Sequence, residues 1–317
     1  MQIRIFIVLL IVCAISTILQ NSKFGNITKI KLNAESESLN MADKGKLEDK
    51  PKIQVNQAEK SGPVSVLPWE NDNKFKTSIE QNGGLIKIVA YHTVLKDPLP
   101  GEEYNVHLGA SLLCGTIIKP GAVFSQNNTV GPYDENKGFR KGPTYIGTSL
   151  TTTIGGGVCK IASTLYNVTI LSNLEIVERH FHGMPVPYVP YGQDATVAYG
   201  AKDFKFKNNT SDDLMIWSQG IDNVLYIAFY GKSKPPNVQW HHEVLGNQTA
   251  PRLFRSNPLL PKGTEKVLVE GMDGLTVRSW ITIKNTNGVE TVKQLGVSHY
   301  KPMPYVVEKG TQEAAVR

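Results

Sequence analysis

One cysteine in this sequence has a setting suited to covalent chemistry. Gly155-Gly156-Gly157-Val158-Cys159 stands directly before an apolar stretch with helical spacing, which predicts the thiol at the first turn of a helix. The unpaired amides and the dipole of a helix start favour the thiolate, the nucleophilic form of cysteine. The amides of Gly156, Gly157 and Val158 are the candidate donors to an oxyanion formed beside the thiol. The alternative interpretation is a small buried residue under a glycine turn.

Two histidines downstream are candidates for the general base. Glu178-Arg179-His180-Phe181-His182 is predicted as a strand, in which the first, third and fifth residues share one face. His182 or His180 can then accept the thiol proton, and Asp194 is the candidate that orients the imidazole. The competing interpretations are a core histidine, a surface strand without a role, and a zinc site formed by Cys159 and both histidines. Because only one soft ligand is present and no fourth ligand is evident, we expect no metal and no cofactor.

Five side chains near this cluster are candidate substrate contacts. Arg179, Lys160 and Arg140 carry the positive charge that a substrate carboxylate requires, although a solvated surface position is the alternative for each. Ser163 and Tyr166 lie on the same side of the predicted helix as Cys159.

The second cysteine of the folded part lacks such a setting. Cys114 follows Leu112-Leu113 within an apolar predicted helix, which indicates a buried and inert thiol. A disulfide between Cys114 and Cys159 is the alternative in an oxidising compartment. We expect Cys114 to lie apart from Cys159 and to be unbonded.

The elements that position these residues are predicted as α+β. Gly84 to Val94 has the pattern of a strand, and Glu103 to Ile117 and Val158 to Leu171 have the spacing of helices. Strands dominate the rest of the chain, and the Asn287-Gly288 dipeptide predicts a hairpin. We therefore expect a domain at 81–233 with about two helices against antiparallel strands, followed by an all-β extension at 234–310.

The beginning of the chain indicates export. Residues 1–20 combine a short basic start with an apolar run, typical of a signal peptide or signal-anchor. Cys13 permits a lipoprotein interpretation, although Val12 is a poor match to the small residue expected before it. Residues 21–80 alternate charges with few apolar residues, which predicts a disordered stalk.

Composition restricts the class of protein and of partner. The 317 residues are 40% hydrophobic and 20% charged, which excludes wholesale disorder and a multi-span membrane protein. The net charge of +6 favours polyanionic surroundings such as anionic wall polymers. Because no Lys/Arg stripe with interleaved aromatic residues is present, we do not expect a nucleic-acid partner.

Together these residues resemble the VanW family of bacterial envelope proteins, from about Val89 to Gly231. The tail from Lys262 to Val307 weakly resembles the G5-type β module that some members carry. The segments that carry the VanW resemblance are Pro120-Gly121-Ala122-Val123-Phe124-Ser125, Val130-Gly131-Pro132, Gly155-Gly156-Gly157-Val158-Cys159, Ser163-Thr164-Leu165-Tyr166-Asn167, Glu178-Arg179-His180-Phe181-His182, Tyr188-Val189-Pro190, Asp194-Ala195-Thr196-Val197 and Asp203-Phe204-Lys205-Phe206-Lys207-Asn208-Asn209.

The resemblance implies an exported protein tethered by its N-terminal segment. Some VanW domains are understood to act as L,D-transpeptidases, with the cysteine of the Gly-Gly-Gly-x-Cys motif as nucleophile, which is Cys159 here. Lys160 stands where the family usually has Gln, and Gly183 stands where a Ser usually follows the second His. These departures affect the expected substrate contacts rather than the nucleophile or the imidazoles.

The resulting prediction is a cysteine L,D-transpeptidase that joins peptidoglycan stem peptides in 3-3 crosslinks through a thioester. The first alternative is a non-catalytic VanW-type envelope protein that binds peptidoglycan or assists glycopeptide resistance or wall assembly. A cysteine peptidase or carboxypeptidase is the further alternative. In each case we expect a protein outside the cytoplasmic membrane, either membrane-anchored through its N-terminal segment or wall-associated.

Overall fold

The structure, a computed structural model, describes residues 60–95, 98–146, 149–285 and 287–312. The predicted signal segment, Cys13 and most of the predicted stalk lie outside these residues. Within the described ranges, no helix is both long and apolar enough to cross a membrane.

These ranges contain four α-helices, a short 3₁₀ turn at Glu135–Lys137, and sixteen strands. The helices are α1 (Asn73–Gln81), α2 (Glu102–Leu113), α3 (Gln126–Thr129) and α4 (Cys159–Leu171). The strands are β1 (Gly62–Pro63), β2 (Ile86–Val94), β3 (Thr116–Ile118), β4 (Val123–Ser125), β5 (Lys141–Ile146), β6 (Ser149–Ile154), β7 (Glu175–Glu178), β8 (Lys205–Lys207), β9 (Leu214–Ile221), β10 (Val224–Gly231), β11 (Asn237–Gln248), β12 (Arg252–Pro261), β13 (Glu265–Val269), β14 (Gly274–Lys284), β15 (Glu290–Tyr300) and β16 (Tyr305–Gln312). The α+β prediction is confirmed.

A five-stranded antiparallel sheet, ordered β1-β2-β10-β9-β3, organises the first half of the described chain. All eight residues of its central strand β10 are buried, because both faces of the sheet are covered. Leu225, Ile227 and Phe229 face the larger core, whereas Tyr226 and Ala228 face a second cluster that contains Trp69 and Phe75. This alternation follows from the two-residue period of a strand.

Helix α4 lies against β2 and β10 in the larger core, and α2 contacts β9. Every residue from Lys160 to Ile170 is buried, so α4 is enclosed all round rather than amphipathic. Several of its polar side chains form hydrogen bonds inside the protein, although Asn167 Oδ1 and Thr169 Oγ1 are buried without a partner among the described residues. The Oγ of Ser163 donates to the carbonyl of Ala195 at 3.0 Å, and the amide of Asn167 donates to the carbonyl of Gln193 at 2.8 Å. The helix that begins at the cysteine is therefore held tightly in place.

Residues 60–81 also pack against the sheet. Leu67 and Trp69 are buried, and Asp72 caps α1 by accepting the amide of Phe75 at 3.1 Å. This stretch falls within the segment predicted as stalk. A few large apolar residues among many charges suffice to fix it, because each can bury against an existing sheet face.

The C-terminal region consists of two three-stranded sheets, ordered β11-β14-β15 and β12-β16-β13. The predicted hairpin is present, since β14 and β15 pair antiparallel on either side of Gly288. Ile281 and Ile283 of β14 are buried in the same core as α4, and the ring of Trp240 meets that of Tyr166 edge-on at 5.3 Å. The first of these sheets is thus packed directly against the part of the protein that carries the cysteine.

Candidate active site

Helix α4 begins at Cys159, as the sequence predicts, and the preceding glycines are needed for the turn that leads into it. A Cβ on Gly156 would lie 2.2 Å from backbone atoms of Gly142, and Gly157 has a φ of +101°. The amide of Asn105 on α2 donates to the carbonyls of Gly156 at 2.9 Å and Arg140 at 2.8 Å. The glycine turn is thereby fixed on both sides, and it presents the half-buried thiol at a defined position.

Two amides beside the thiol remain available to a ligand. The amide of Gly156 donates to the carbonyl of Thr153 at 3.1 Å, and that of Val158 to the carbonyl of Gly155 at 3.3 Å. Within the described residues, the amides of Gly157 and Cys159 have no hydrogen-bond acceptor. Of the loop amides predicted as oxyanion donors, the structure therefore leaves that of Gly157 free, together with that of the cysteine itself.

The side chains of Cys159, His182 and Asp194 lie next to one another beside the glycine turn. His182 Nδ1 lies 2.7 Å from Asp194 Oδ2, and the backbone amide of His182 donates to the same oxygen at 2.7 Å. The imidazole of His182 is also close enough to the Cys159 thiol for each group to shift the pKa of the other, through a hydrogen bond and through charge. Cys159, His182 and Asp194 therefore stand in the order predicted for a nucleophile, a base and an orienting carboxylate, and their catalytic roles stay predictions.

Electrostatics in this chain favour an ion pair between thiolate and imidazolium. Burial by itself raises the pKa of the Cys159 thiol, but the hydrogen bond and charge of His182 outweigh it, so the pKa lies below its usual value. Burial lowers the pKa of His182, but the hydrogen bonds to Asp194 and Cys159 outweigh it and raise the value to about 9. Burial also raises the pKa of Asp194, yet His182 and Arg179 hold it below its usual range. All three directions favour the thiolate form of Cys159.

The thiol has two further neighbours. Thr196 Oγ1 lies 3.2 Å from Cys159 Sγ, and the amide of Val197 donates to the sulfur at 3.5 Å. Both contacts stabilise negative charge on sulfur.

The other predicted base, His180, contacts a different carboxylate. Strand β7 ends at Glu178, so the predicted strand does not continue to His182, and the two imidazoles do not share a face. His180 Nε2 lies 3.0 Å from Glu178 Oε1, on a half-exposed surface beside Lys205. The ligands of the zinc alternative are therefore not brought together, and in the described part of the chain no cluster of His, Cys, Asp and Glu side chains is arranged to hold a metal ion.

The predicted substrate contacts are buried or have partners within the protein. Arg179 binds Asp194 Oδ1 at 3.1 Å behind the imidazole, and its guanidinium lies 4.8 Å from the ring centroid of Tyr166. Lys160 is buried and donates to the carbonyl of Asn223 at 3.0 Å. Arg140 stacks on Tyr104 at 3.6 Å. Ser163 and Tyr166 are both buried in the core. Their roles toward a substrate stay predictions.

An open groove of about 440 Å³ runs past the thiol. Its walls are the glycine turn, the strands β5 and β6, and the loops that carry Tyr133 and Tyr199, whose rings meet edge-on at 6.5 Å. Asp134 is the charged side chain among the described residues that line it. The groove thus joins the candidate nucleophile, amides without an acceptor among the described residues and an aromatic wall, a combination typical of a site that binds an extended substrate and is acylated by it.

Three residues of this site escape an analysis of motifs. Asn105, Tyr133 and Tyr300 are far from one another in the sequence, and none lies in a spacing that indicates chemistry. Thr196 lies in a segment that carries the family resemblance, Asp194-Ala195-Thr196-Val197, but is not among the predicted site residues. A polar residue on the buried face of a predicted helix was the available signal for Asn105, since such a residue must find partners. For Tyr300, no local signal exists.

Cys114 lies in a different environment. Both cysteines are free thiols, and Cys114 is half-buried rather than buried, because α1 leaves a groove of about 420 Å³ beside it. Burial raises the pKa of Cys114, with no imidazole to counter it.

Iodoacetamide is accordingly expected to label Cys159 faster than Cys114 near neutral pH, because thiolate is the reactive form. The rate at Cys159 should fall as the pH drops through the lowered pKa of its thiol. A time course of peptide masses at several pH values measures both rates in one sample. Equal rates with the same pH dependence would contradict an activated Cys159.

Comparison with known proteins gives two domain matches. Residues 101–230 match the family described as VanW like protein, and residues 250–312 match the G5 domain. The chain is similar to Uncharacterized protein YoaR of Bacillus subtilis (strain 168), with 34% identity over 140 residues, 44% of this chain and 46% of that protein. It is also similar to Vancomycin B-type resistance protein VanW of Enterococcus faecalis (strain ATCC 700802 / V583), with 34% identity over 121 residues, 37% of this chain and 44% of that protein. The match spans less than half the length of either relative.

Among solved structures, the C-terminal region is similar to the IgA1 Protease G5 domain, with 27% identity and a TM-score of 0.16. The match covers 25% of this chain and 95% of that one. A second G5 structure, HP0197-G5, has 17% identity and a TM-score of 0.14, over 23% of this chain and 99% of that one. TM-scores this low support no statement about the fold.

Proposed function

For a chain that carries a VanW-like domain followed by a G5 domain, we propose a function in the cell wall, as a cysteine L,D-transpeptidase of peptidoglycan stem peptides. The observation that carries the proposal is the arrangement of Cys159, His182 and Asp194 beside one another, with the thiol of Cys159 lining an open groove. A buried ion pair of this kind costs desolvation energy, so a purely structural protein gains little from it.

The first step forms a thioester. The thiolate of Cys159 attacks the carbonyl carbon of the third residue of a tetrapeptide stem, and the carbonyl oxygen becomes an oxyanion. The amides of Gly157 and Cys159, which have no acceptor among the described residues, would donate hydrogen bonds to that charge. The imidazolium of His182 then donates its proton to the amine of the terminal D-Ala, the C–N bond breaks, and D-Ala leaves as a neutral amine.

The second step transfers the acyl group. The neutral side-chain amine of a diamino acid in another stem attacks the thioester carbon, and His182 accepts a proton from it. The C–S bond breaks, an amide crosslink forms, and the thiolate and imidazolium are restored. Water in place of the amine would give a carboxypeptidase, so exclusion of water from the groove favours transfer.

The negative charge of Asp134 in the groove is more compatible with the side-chain amine of the acceptor stem than with a substrate carboxylate. Asp134 is half-buried at the groove wall, where its carboxylate also accepts the amide of Lys137 at 3.0 Å. A carboxylate here attracts the ammonium form of an incoming diamino acid and concentrates it near the thioester. Arg179, by contrast, is bonded to Asp194 and is not free to bind the substrate.

A location outside the cytoplasmic membrane supports the same function. VanW and G5 domains are both associated with extracellular, cell-wall proteins, and the net charge of +6 suits an environment of anionic wall polymers. We propose attachment through the apolar N-terminal segment, residues 1–20, which lies outside the described residues.

Incubation with a tetrapeptide stem is expected to give an acyl adduct on Cys159, because the thioester forms before the acceptor amine arrives. Intact-mass analysis should show the protein plus the stem less D-Ala, and addition of a diamino-acid peptide should remove the adduct and release a crosslinked product. Cys114→Ala is the matched control and should acylate normally.

Binding of peptidoglycan without an adduct, in a protein whose Cys159 still reacts with iodoacetamide, would favour the non-catalytic envelope protein instead. An adduct that only water resolves would favour the carboxypeptidase.

A further inference from the structure

Two side chains of the C-terminal β region form hydrogen bonds with Asp194 and with the arginine bound to it. Tyr300, at the end of β15, donates its hydroxyl hydrogen to Asp194 Oδ1 at 2.5 Å and accepts the amide of Gly192 at 2.8 Å. Ser298, two residues earlier on the same face of β15, accepts Arg179 Nη1 at 3.1 Å. Both side chains belong to the G5 match, whereas the triad belongs to the VanW-like match.

These contacts complete the surroundings of a carboxylate that is 1% exposed. Asp194 Oδ2 accepts the backbone amide and the ring nitrogen of His182, and Oδ1 accepts Arg179 and Tyr300. A buried carboxylate stays ionised only if its oxygens are hydrogen-bonded or paired with charge. The hydroxyl of Tyr300 thus provides one of the few donors available to it.

The position of Tyr300 is itself well defined. It is 5% exposed, it pairs with Leu275 of β14, and its ring lies against Phe181 at 6.0 Å and Tyr191 at 5.6 Å. Gln193, next to the orienting aspartate, meets His242 of β11 at 2.9 Å. The loop that ends at Asp194 is therefore held between the imidazole on one side and the C-terminal sheet on the other.

We propose that Tyr300 is a positioning residue of the triad, so that the C-terminal β region forms part of the active site instead of serving only as a spacer or wall anchor. With the hydroxyl present, Asp194 remains an anion with its Oδ2 directed at His182. Without it, the buried carboxylate shares the imidazole proton more readily, and the thiolate of Cys159 loses its positive neighbour. The charged and titratable side chains that face this cluster are Cys159, Arg179, Tyr166, Tyr188 and Tyr300.

The same contacts imply coupling between the two regions. A displacement of β15 moves Tyr300 and Ser298 together, and both act on the group that orients His182. Any partner of the C-terminal region that shifts this strand would thereby change the reactivity of Cys159.

The test is the rate of Cys159 alkylation by iodoacetamide as a function of pH, in a Cys114→Ala background. Tyr300→Phe is expected to move the profile to higher pH by up to about one unit, which is roughly a tenfold lower rate on its acidic limb. Tyr305→Phe is the matched control. Tyr305 is the first residue of β16, and its ring lies beside Arg252 of β12 rather than beside Asp194. Its profile should overlay that of the wild type.

Ser298→Ala provides a second and milder test, in case Tyr300→Phe does not fold. It removes one anchor of Arg179 and should give a smaller shift in the same direction. Wild-type profiles for both variants, or an equal shift in Tyr305→Phe, would overturn the inference. The inference rests on the proposed function, because a positioning residue has a catalytic role only in an enzyme. Alkylation of Cys159 by iodoacetamide needs no substrate, so it tests the positioning role separately. A shifted profile in a protein that never acylates would leave the positioning role intact and refute the transpeptidase.

Discussion

The Cys159→Ala protein is expected to form no acyl adduct and no crosslinked product, because the group that attacks the carbonyl is absent. Cys159→Ser should lose on the order of a thousandfold or more in rate, since a hydroxyl is not ionised by an imidazolium and a helix start near neutral pH. Crosslink formation, followed by chromatography of the stem peptides, measures both variants against the wild type.

The fold should survive these changes. Cys159 is the first residue of α4 and is half-buried, so its replacement by alanine should change the free energy of unfolding by about 1 kcal/mol or less. Thermal unfolding and binding to isolated cell walls provide the controls. Wild-type crosslinking by Cys159→Ala would refute the enzymatic proposal, whereas retained wall binding without crosslinking supports separate binding and catalytic roles.

Asp194→Asn is the second change with a large expected effect. An amide cannot stabilise the imidazolium, so the pKa of His182 should fall from about 9 and the thiolate of Cys159 should become less populated. Loss of an orienting aspartate in a triad of this type costs roughly ten-thousandfold in turnover, and we expect at least about a hundredfold here. Parallel measurements of turnover and of Cys159 alkylation would show both rates falling near neutral pH.

The dependence of turnover on pH tests the same assignment of Cys159, His182 and Asp194. In the wild type, turnover should rise as the pH passes the lowered pKa of Cys159 and decline as it passes about 9, where His182 loses the proton that it donates to the leaving amine. Asp194→Asn should lower the pH at which turnover declines, because the pKa of His182 falls. Glu178→Gln is the matched control, because that carboxylate holds His180 rather than His182. An unchanged profile in Asp194→Asn, or an equal loss in Glu178→Gln, would argue against the assigned triad.

Local signals in the sequence were sufficient for several features. The glycines before Cys159 and the apolar run after it predict a helix start, because a glycine-rich turn and a 3.6-residue period are both properties of short segments. The Asn287-Gly288 turn predicts the β14–β15 hairpin for the same reason. Cys159 as nucleophile and Asp194 as orienting group also follow from residue type and the resemblance of their segments.

The different surroundings of the two histidines became visible only in the tertiary structure. A strand period places Glu178, His180 and His182 together, but β7 ends at Glu178 and the chain turns, so His180 pairs with Glu178 and His182 with Asp194. The end of a strand depends on where its partner β8 ends, and that partner lies far along the chain. The burial of Lys160 has a similar origin, since α4 is enclosed by the sheet and by β11 rather than facing solvent on one side.

From the sequence alone, therefore, come the class of fold, the candidate nucleophile at its helix start, and the set of side chains from which the proposed triad is drawn. The tertiary structure alone decides which imidazole contacts Asp194, which amides beside the thiol lack an acceptor among the described residues, and that Tyr300 bonds to Asp194 across 106 positions of sequence. The physical reason is that period and turn chemistry act over a few residues. Hydrogen bonds of buried groups, by contrast, are satisfied by whichever distant strand the packed core brings alongside.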